Sequence, residues 1–273
     1  MRGTSAVGEV VAVLSMLRAQ FFRIAKSRFL IAYAVTFFVI AAATPFALWL
    51  YSVWPDFAST GIVQLPAEQL SSLQVYGVSF VSGSFIAMGV GVFAAYYVTE
   101  DFKSGYMKNL VQARGGRTSY ALAMRICMLV VSAATTVFGM LVVEGALRLQ
   151  GYVPATPAAS EALQWFVQVT LCSAAYAEMV VLLAVATRSE ALAVVGAVFL
   201  GGGTFESILR ITLANIPGIS VAVRDCLDSY LAVDLNTLAQ GALCDPLTYV
   251  QVGATILIVG LASVLVMRRL RLA

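Results

Sequence analysis

The sequence predicts an all-α membrane protein with six transmembrane helices and an amphipathic helix ahead of the first of them. Of its 273 residues, 60% are hydrophobic and only 11% are charged, which lies outside the range of a soluble domain of this length. Several windows of about twenty residues carry no fixed charge, and a helix of that length crosses the hydrocarbon core. Membrane-spanning strands would instead show short alternating segments.

Six apolar segments account for most of the chain. We predict spans at residues 29–52, 77–98, 121–147, 163–186, 190–213 and 247–267. No stretch between them is long enough to bury a separate soluble core. Residues 1–273 are therefore expected to form a single transmembrane domain, and any domain that hydrolyses ATP or binds nucleic acid is expected on another polypeptide.

Lys and Arg are concentrated on one side of the predicted membrane. They occur in the N-terminal segment, in the connection after the second span, at Arg188 and at the C-terminus, whereas the other side carries mainly acids, with Arg148 and Arg224 as its bases. Because basic loops remain in the cytoplasm, both termini are predicted to be cytoplasmic in the cell membrane. This segregation explains the net charge of +3 without a nucleic-acid partner.

The first element is predicted to be an amphipathic helix over residues 8–28. Its apolar stripe comprises Val10, Val13, Leu14, Leu17, Phe21 and Ile24. Ser15, Arg23 and Lys26 lie opposite this stripe. The helix is expected to lie in the inner interface plane of the lipid bilayer. Two roles remain open: a collar that sets the angle of the first span and supports a partner, or an anchor held by anionic headgroups.

The second span is predicted to present one side with almost no side-chain bulk. Small residues recur there at every fourth position: Ser79, Gly83, Ala87, Gly91 and Ala95. Helix backbones approach closely at such a side. It is interpreted either as ordinary packing within one chain or as a seam near a translocation path, at the junction between two subunits.

The connection over residues 99–117 is strongly charged between apolar neighbours. Apolar residues recur in it at helical spacing: Phe102, Tyr106, Met107, Leu110 and Val111. Gly115 and Gly116 are expected to end this helix before Thr118 or Ser119 begins the next one. Taken alone, the pattern predicts a short amphipathic helix at the membrane surface or a basic interfacial turn.

A short motif lies in the same connection. It consists of Glu-Asp-Phe-Lys-Ser-Gly at 100–105, Lys-Asn-Leu at 108–110 and Arg117. This motif resembles the first cytoplasmic loop of ABC-2-type permeases, especially those of lantibiotic and bacitracin immunity exporters. The overall plan of lead-in helix, six spans and long last outer connection is similar too. The sequence departs from the family at Tyr106, where Thr is more frequent, and at residues 115–116, where Pro or Ser often precedes the Arg.

The resemblance implies that the 99–117 connection is a coupling helix, which sits in a groove of a separate cytoplasmic ATPase. The implied ATPase contacts are Glu100, Phe102, Lys103, Gly105, Tyr106, Met107, Lys108, Arg114 and Arg117. An exposed Tyr106 or Met107 rimmed by bases is expected to dock into that groove. ATP and Mg²⁺ would then be held by the ATPase, with no cofactor on this chain.

The implied function is a permease subunit that works with a second copy or a sister permease. It would export or expel a peptide of the lantibiotic or bacteriocin kind, or an amphiphilic compound. The chain has no intact phosphate-binding loop, because Val111 occupies the first Gly position and Arg117 replaces the Lys. A non-transport scaffold or sensor partner is the alternative. An intramembrane enzyme is disfavoured, because the sequence has no histidine and its intramembrane acids are sparse.

Ionisable residues within spans are costly and need partners. Glu144 with Arg148, and Glu206 with Arg210, stand four residues apart and are expected to pair on their own helices. Glu178 lies about 12 Å deep at 1.5 Å per residue, with no base on its own helix. It is the candidate for a cavity-facing or inter-span contact, with protonation or a hydroxyl partner as the alternative.

Two features are predicted near the outer side. The three glycines 201–203 permit a kink or a break in the fifth span. The connection over residues 214–246 is expected to cover the extracellular mouth. It contains Cys226 and Cys244, which would form a disulfide in an oxidising exterior or remain two free thiols.

Overall fold

The computed structural model describes residues 6–54, 71–107, 116–216 and 230–269. These residues are almost entirely helical, as predicted. Their α-helices are α1 (Ala6–Lys26), α2 (Arg28–Val53), α3 (Ser72–Tyr76), α4 (Phe85–Lys103), α5 (Gly116–Leu149), α6 (Ala159–Thr187), α7 (Glu190–Gly201), α8 (Thr204–Ala214), α9 (Leu231–Ala239) and α10 (Leu247–Arg269). A π-helical turn at Gly77–Val81 and a 3-10 turn at Ser82–Ser84 connect α3 to α4.

Within the described ranges, the helices are long and apolar enough to form five or six membrane spans. The five continuous ones are Arg28–Val53, Ser72–Lys103, Thr118–Leu149, Ala159–Thr187 and Leu247–Arg269. The pair α7 and α8 passes the same test together, but is bent by 60° at its junction. The break predicted at glycines 201–203 is therefore present. Gly203 begins α8 with φ +71, a conformation that favours glycine.

The core lies around α4 and α6, which pack against each other and against α5, α7 and α10. Trp165, Phe80 and Phe93 are completely buried there. Gly201 contacts the backbone of α4 so closely that a Cβ at this position would lie 2.9 Å from Met88 N. The glycine therefore allows α7 to lie directly against α4.

The predicted second span is not one regular helix. Its first turns are π-helical, and Gly83 and Ser84 both adopt left-handed backbone angles. Gly77 lies against the end of α9, where a Cβ would come within 2.4 Å of the Ala239 carbonyl oxygen. Because Ala239 occupies this space, the position beside α9 requires a glycine.

This irregularity interrupts the predicted stripe of small residues, which assumed one regular helix. Gly83 is exposed, and Ser79 is buried but donates its hydroxyl to the Val75 carbonyl on its own helix. The remaining members, Ala87, Gly91 and Ala95, are buried in α4. A Cβ on Gly91 would lie 3.1 Å from the Cβ of Ala197 in α7 and 3.3 Å from Cγ2 of Val180 in α6. The part of the stripe that lies in α4 therefore packs within this chain.

Candidate functional site

The candidate site lies at the end of the molecule where α1, the last turn of α4 and the start of α5 meet. Asp101 has no exposed side-chain surface and forms an ion pair with Arg23 of α1. Tyr120 of α5 donates a hydrogen bond to Asp101 Oδ2 at 2.7 Å. A buried carboxylate is stable only when it is paired and hydrogen-bonded. These three side chains therefore fasten α1, α4 and α5 to one another.

Aromatic and amide groups extend this network along α1. The Tyr97 hydroxyl donates to Gln20 Oε1 at 2.6 Å. The Arg23 guanidinium lies 4.3 Å from the ring centroid of Tyr106 and 5.4 Å from that of Tyr97, within the range of cation–π attraction. Partial burial works against the charged form of Arg23, but the hydrogen bond and charge of Asp101 outweigh it and raise the Arg23 pKa.

The orientation of Arg23 differs from the sequence prediction. Its helical position placed it opposite the apolar stripe, yet its guanidinium turns inward to Asp101. The stripe itself is split, because Ile24 is buried whereas Leu14 is 58% exposed. The fully buried Gln20 lies on the inward side of α1. The inner side of α1 is thus more polar than the periodicity predicted.

The predicted ATPase contacts occupy different environments. Lys103 and Ser104 are exposed, and Lys103 pairs with Glu190 at the start of α7. Glu100 and Phe102 are half-buried, and no atom of the described residues lies within 4 Å of a Cβ placed on Gly105. The predictions on Lys108, Arg114 and the Arg117 side chain lie outside the described residues.

The exposed knob expected at Tyr106 and Met107 is corrected by the structure. Met107 is only 3% exposed and belongs to the core. Tyr106 is half-buried beneath Arg23, and its hydroxyl donates to the sulfur of Met16. The physical reason is that α4 ends at Lys103 and Gly105 adopts φ +72, so the chain turns back onto α1. The predicted spacing assumed one unbroken helix.

Glu178 lies between spans and forms an ion pair with Arg125 of α5, a residue that was not among the predicted site residues. Its carboxylate Oε2 is 3.8 Å from Nε of Arg125 in α5, and Glu178 is buried. The Arg125 guanidinium fits against Gly260 of α10, where a Cβ would lie 2.1 Å from Cζ. The signal that could have identified Arg125 is its charge within a predicted span, since such residues seek a partner.

Polar contacts also define the opposite end of the molecule. Glu144 pairs with Arg148, Nε to Oε1 at 2.6 Å, as predicted, and accepts a hydrogen bond from Tyr76 at 2.8 Å. Glu206 accepts from the Tyr176 hydroxyl and from the backbone N–H of Ala232, at 2.5 and 2.7 Å. These bonds join α8 to α6 and α9; the Glu206–Arg210 pair stays a prediction.

Cys244 is buried, and its Sγ lies 3.4 Å from the Asp234 carbonyl oxygen. Burial, followed by the charge of Asp234, raises the pKa of Cys244 to about 12. Cys226 lies outside the described residues, so the disulfide stays a prediction. In the ranges that the structure describes, no three His, Cys, Asp or Glu side chains converge to hold a metal ion.

The chain matches no family model and no curated protein sequence.

Proposed function

We propose that the chain is the membrane-spanning permease subunit of an ATP-driven ABC-2-type exporter. The observation that carries this proposal is the Asp101 network, in which Arg23 and Tyr120 hold the end of α4 to α1 and α5. A soluble motor that grips the chain just after α4 would move three helices together. Such rigid linkage is what converts a local contact into a rearrangement of spans.

In this proposal, a separate cytoplasmic ATPase binds ATP and Mg²⁺ and contacts the exposed Lys103 and Ser104 together with the following connection. Tyr106 and Met107 take a different role from the one the motif implied. They are held against α1 and the core, so they anchor the connection rather than enter the ATPase groove. The Lys103–Glu190 pair is exposed and contributes little stability, so Lys103 is free to exchange partners on docking.

The proposed cargo is a peptide of the lantibiotic or bacteriocin kind, or an amphiphilic compound, that is exported or expelled from the membrane. A second copy or a sister permease completes the path, and both termini lie in the cytoplasm. We expect movement at the bent junction of α7 and α8 and at the irregular turns before α4. Both interrupt the regular hydrogen-bond pattern of an α-helix.

A bulky substitution at the exposed end of α4 tests the proposal. The chain is purified in nanodiscs with its co-expressed ATPase, and both the bound ATPase and ATP-dependent export of a labelled lantibiotic are measured. Ser104→Trp should reduce the bound ATPase at least about tenfold, a change of ~1.4 kcal/mol in docking. Ser160→Trp is the matched control, because Ser160 is also exposed but lies in the first turn of α6, at the other end.

Two results would contradict the exporter proposal. One is equal ATPase retention and export in the Ser104→Trp and Ser160→Trp proteins when both unfold at the same temperature. The other is full export activity of the chain in vesicles that contain no hydrolysable nucleotide.

A further inference from the structure

A small pocket lies at the opposite end from Asp101, between α9 and the start of α10. Its volume is about 270 Å³. Two carboxylates, those of Asp234 and Asp245, line it together with the hydroxyl-bearing Thr237 and Thr248. Among its described lining residues there is no Lys or Arg. The pocket is therefore an acidic site without an internal counter-charge in this part of the chain.

The Asp234 carboxylate is only partly satisfied, by hydrogen bonds with Thr248 and Cys244. It is only 6% exposed, and its Oδ2 is buried without a hydrogen-bond partner among the described residues. Burial raises the pKa of Asp234; the hydrogen bonds of Thr248 and Cys244 lower it in part, and the neighbouring charge of Asp245 raises it further. An ionised carboxylate in such a place is costly until a cation or a set of N–H donors reaches it.

The walls of the pocket are held in place by side chains from α6. The Gln168 amide donates to the Cys244 carbonyl at 2.9 Å and accepts from the Cys244 N–H at 3.1 Å. Trp165 Nε1 donates to the Leu238 carbonyl at 3.0 Å, which fixes the end of α9. These bonds are buried, so the pocket exists before any ligand arrives, and a ligand need not order it.

The chemistry of the lining favours an organic cation over a metal ion. No group of three metal-ligating side chains converges in the described ranges, and a bare metal ion needs far less space than this pocket offers. A primary ammonium group carries three N–H donors, which match the oxygens of Asp234, Asp245 and the threonines. Leu243 and Leu247 supply an apolar wall for methylene groups.

We propose that this pocket binds the primary ammonium group of an alkylamine, with Asp234 and Asp245 as acceptors and with Leu243 and Leu247 against the alkyl chain. The proposal is independent of the exporter function. Two natural sources share this chemistry: a soluble amine, such as an amine-bearing side chain of a peptide, and the headgroup of phosphatidylethanolamine.

The binding test uses n-hexylamine as the probe and isothermal titration calorimetry as the readout, on the full chain in phosphatidylcholine nanodiscs. The choline headgroup has no N–H donor, so it leaves the pocket unoccupied by lipid ammonium. Hexylamine should bind, whereas 1-hexanol, which has the same alkyl chain without the charge, should not. Asp234→Asn should weaken hexylamine binding at least about tenfold, as expected for loss of a buried charge-assisted bond.

Controls separate a binding effect from a folding effect. Glu161→Gln removes an exposed acid from the first turn of α6 at the same end and should leave hexylamine binding unchanged. Asp245→Asn gives a second, independent weakening. Both Asn variants are isosteric with Asp, and unchanged thermal unfolding temperatures would show that they fold.

The lipid arm of the experiment identifies the source of the amine. Nanodiscs with phosphatidylethanolamine should raise the apparent dissociation constant of hexylamine if the headgroup is the ligand, and leave it unchanged if a soluble amine is. The proposal is overturned if hexylamine fails to bind or hexanol binds equally well. It is also overturned if Asp234→Asn binds like the unmodified protein, or if Ca²⁺ binds through Asp234 in place of the amine.

Discussion

Removing Arg23 should destabilise the protein because it leaves the Asp101 carboxylate buried without a counter-charge. The Asp101 side chain is completely buried, whereas Arg23 keeps 29% of its side chain exposed. Breaking a buried ion pair from one side costs about 3–5 kcal/mol. Because Arg23 borders the solvent, we expect Arg23→Met to cost about 3 kcal/mol, at the lower end of that range.

A sharper prediction concerns the free energy of unfolding of the double variant compared with that of Arg23→Met. Asp101→Asn alone should cost about 1–2 kcal/mol, because Tyr120 loses a charged acceptor while Arg23 can turn to water. Adding Asp101→Asn to Arg23→Met removes the orphaned charge, so the double variant should be more stable than Arg23→Met alone by at least about 1 kcal/mol.

The free energy of unfolding is measured by denaturant titration in mixed micelles, as a double-mutant cycle. The matched control is Lys103→Met, which breaks the exposed Lys103–Glu190 pair at the same end and should change the free energy of unfolding far less than Arg23→Met does. Strict additivity of Arg23→Met and Asp101→Asn, or a cost of Arg23→Met no larger than that of Lys103→Met, would refute the reasoning.

Two further predictions concern other parts of the fold. Gly260→Ala should push the Arg125 guanidinium away and cost about 1–3 kcal/mol in unfolding free energy. Gly253→Ala on the same helix, with no atom of the described residues within 4 Å of its Cβ position, should cost nothing, and equal effects of the two variants would contradict the packing. Cys244, with its pKa raised to about 12, should hold only ~10⁻⁴ of its thiol as thiolate at pH 8 and should therefore react with maleimide slowly until the protein is unfolded. Rapid labelling of the folded protein, followed by mass spectrometry, would contradict that burial.

Hydropathy was sufficient to predict the helical class and the approximate positions of the long apolar helices, because the requirement for about twenty apolar residues is local to each segment. The break at glycines 201–203 could also be predicted from the sequence, since three successive glycines weaken a helix whatever packs against it. Both features depend on short stretches of sequence alone.

The features that the sequence did not predict depend on contacts between distant segments. The stripe in the second span was predicted on one regular helix, and the left-handed backbone at Gly83 and Ser84 that interrupts it does not follow from residue spacing. Ala239, more than 150 residues away, occupies the space beside Gly77. Met107 was expected on the surface because the left-handed turn at Gly105 is invisible to a periodicity that assumes a continuous helix. The ion pair between Arg23 and Asp101 could not be predicted, because it depends on how α1 lies against the end of α4.

The angle between α7 and α8 has a consequence for the surrounding lipid. With 12 and 11 residues, the two halves are about 18 and 17 Å long at 1.5 Å per residue. Bent by 60°, the pair reaches about 30 Å from end to end by that rise, which is about the thickness of the hydrocarbon core. A straight helix of the same residues would be about 5 Å longer, so a thicker bilayer should favour a straighter junction between α7 and α8.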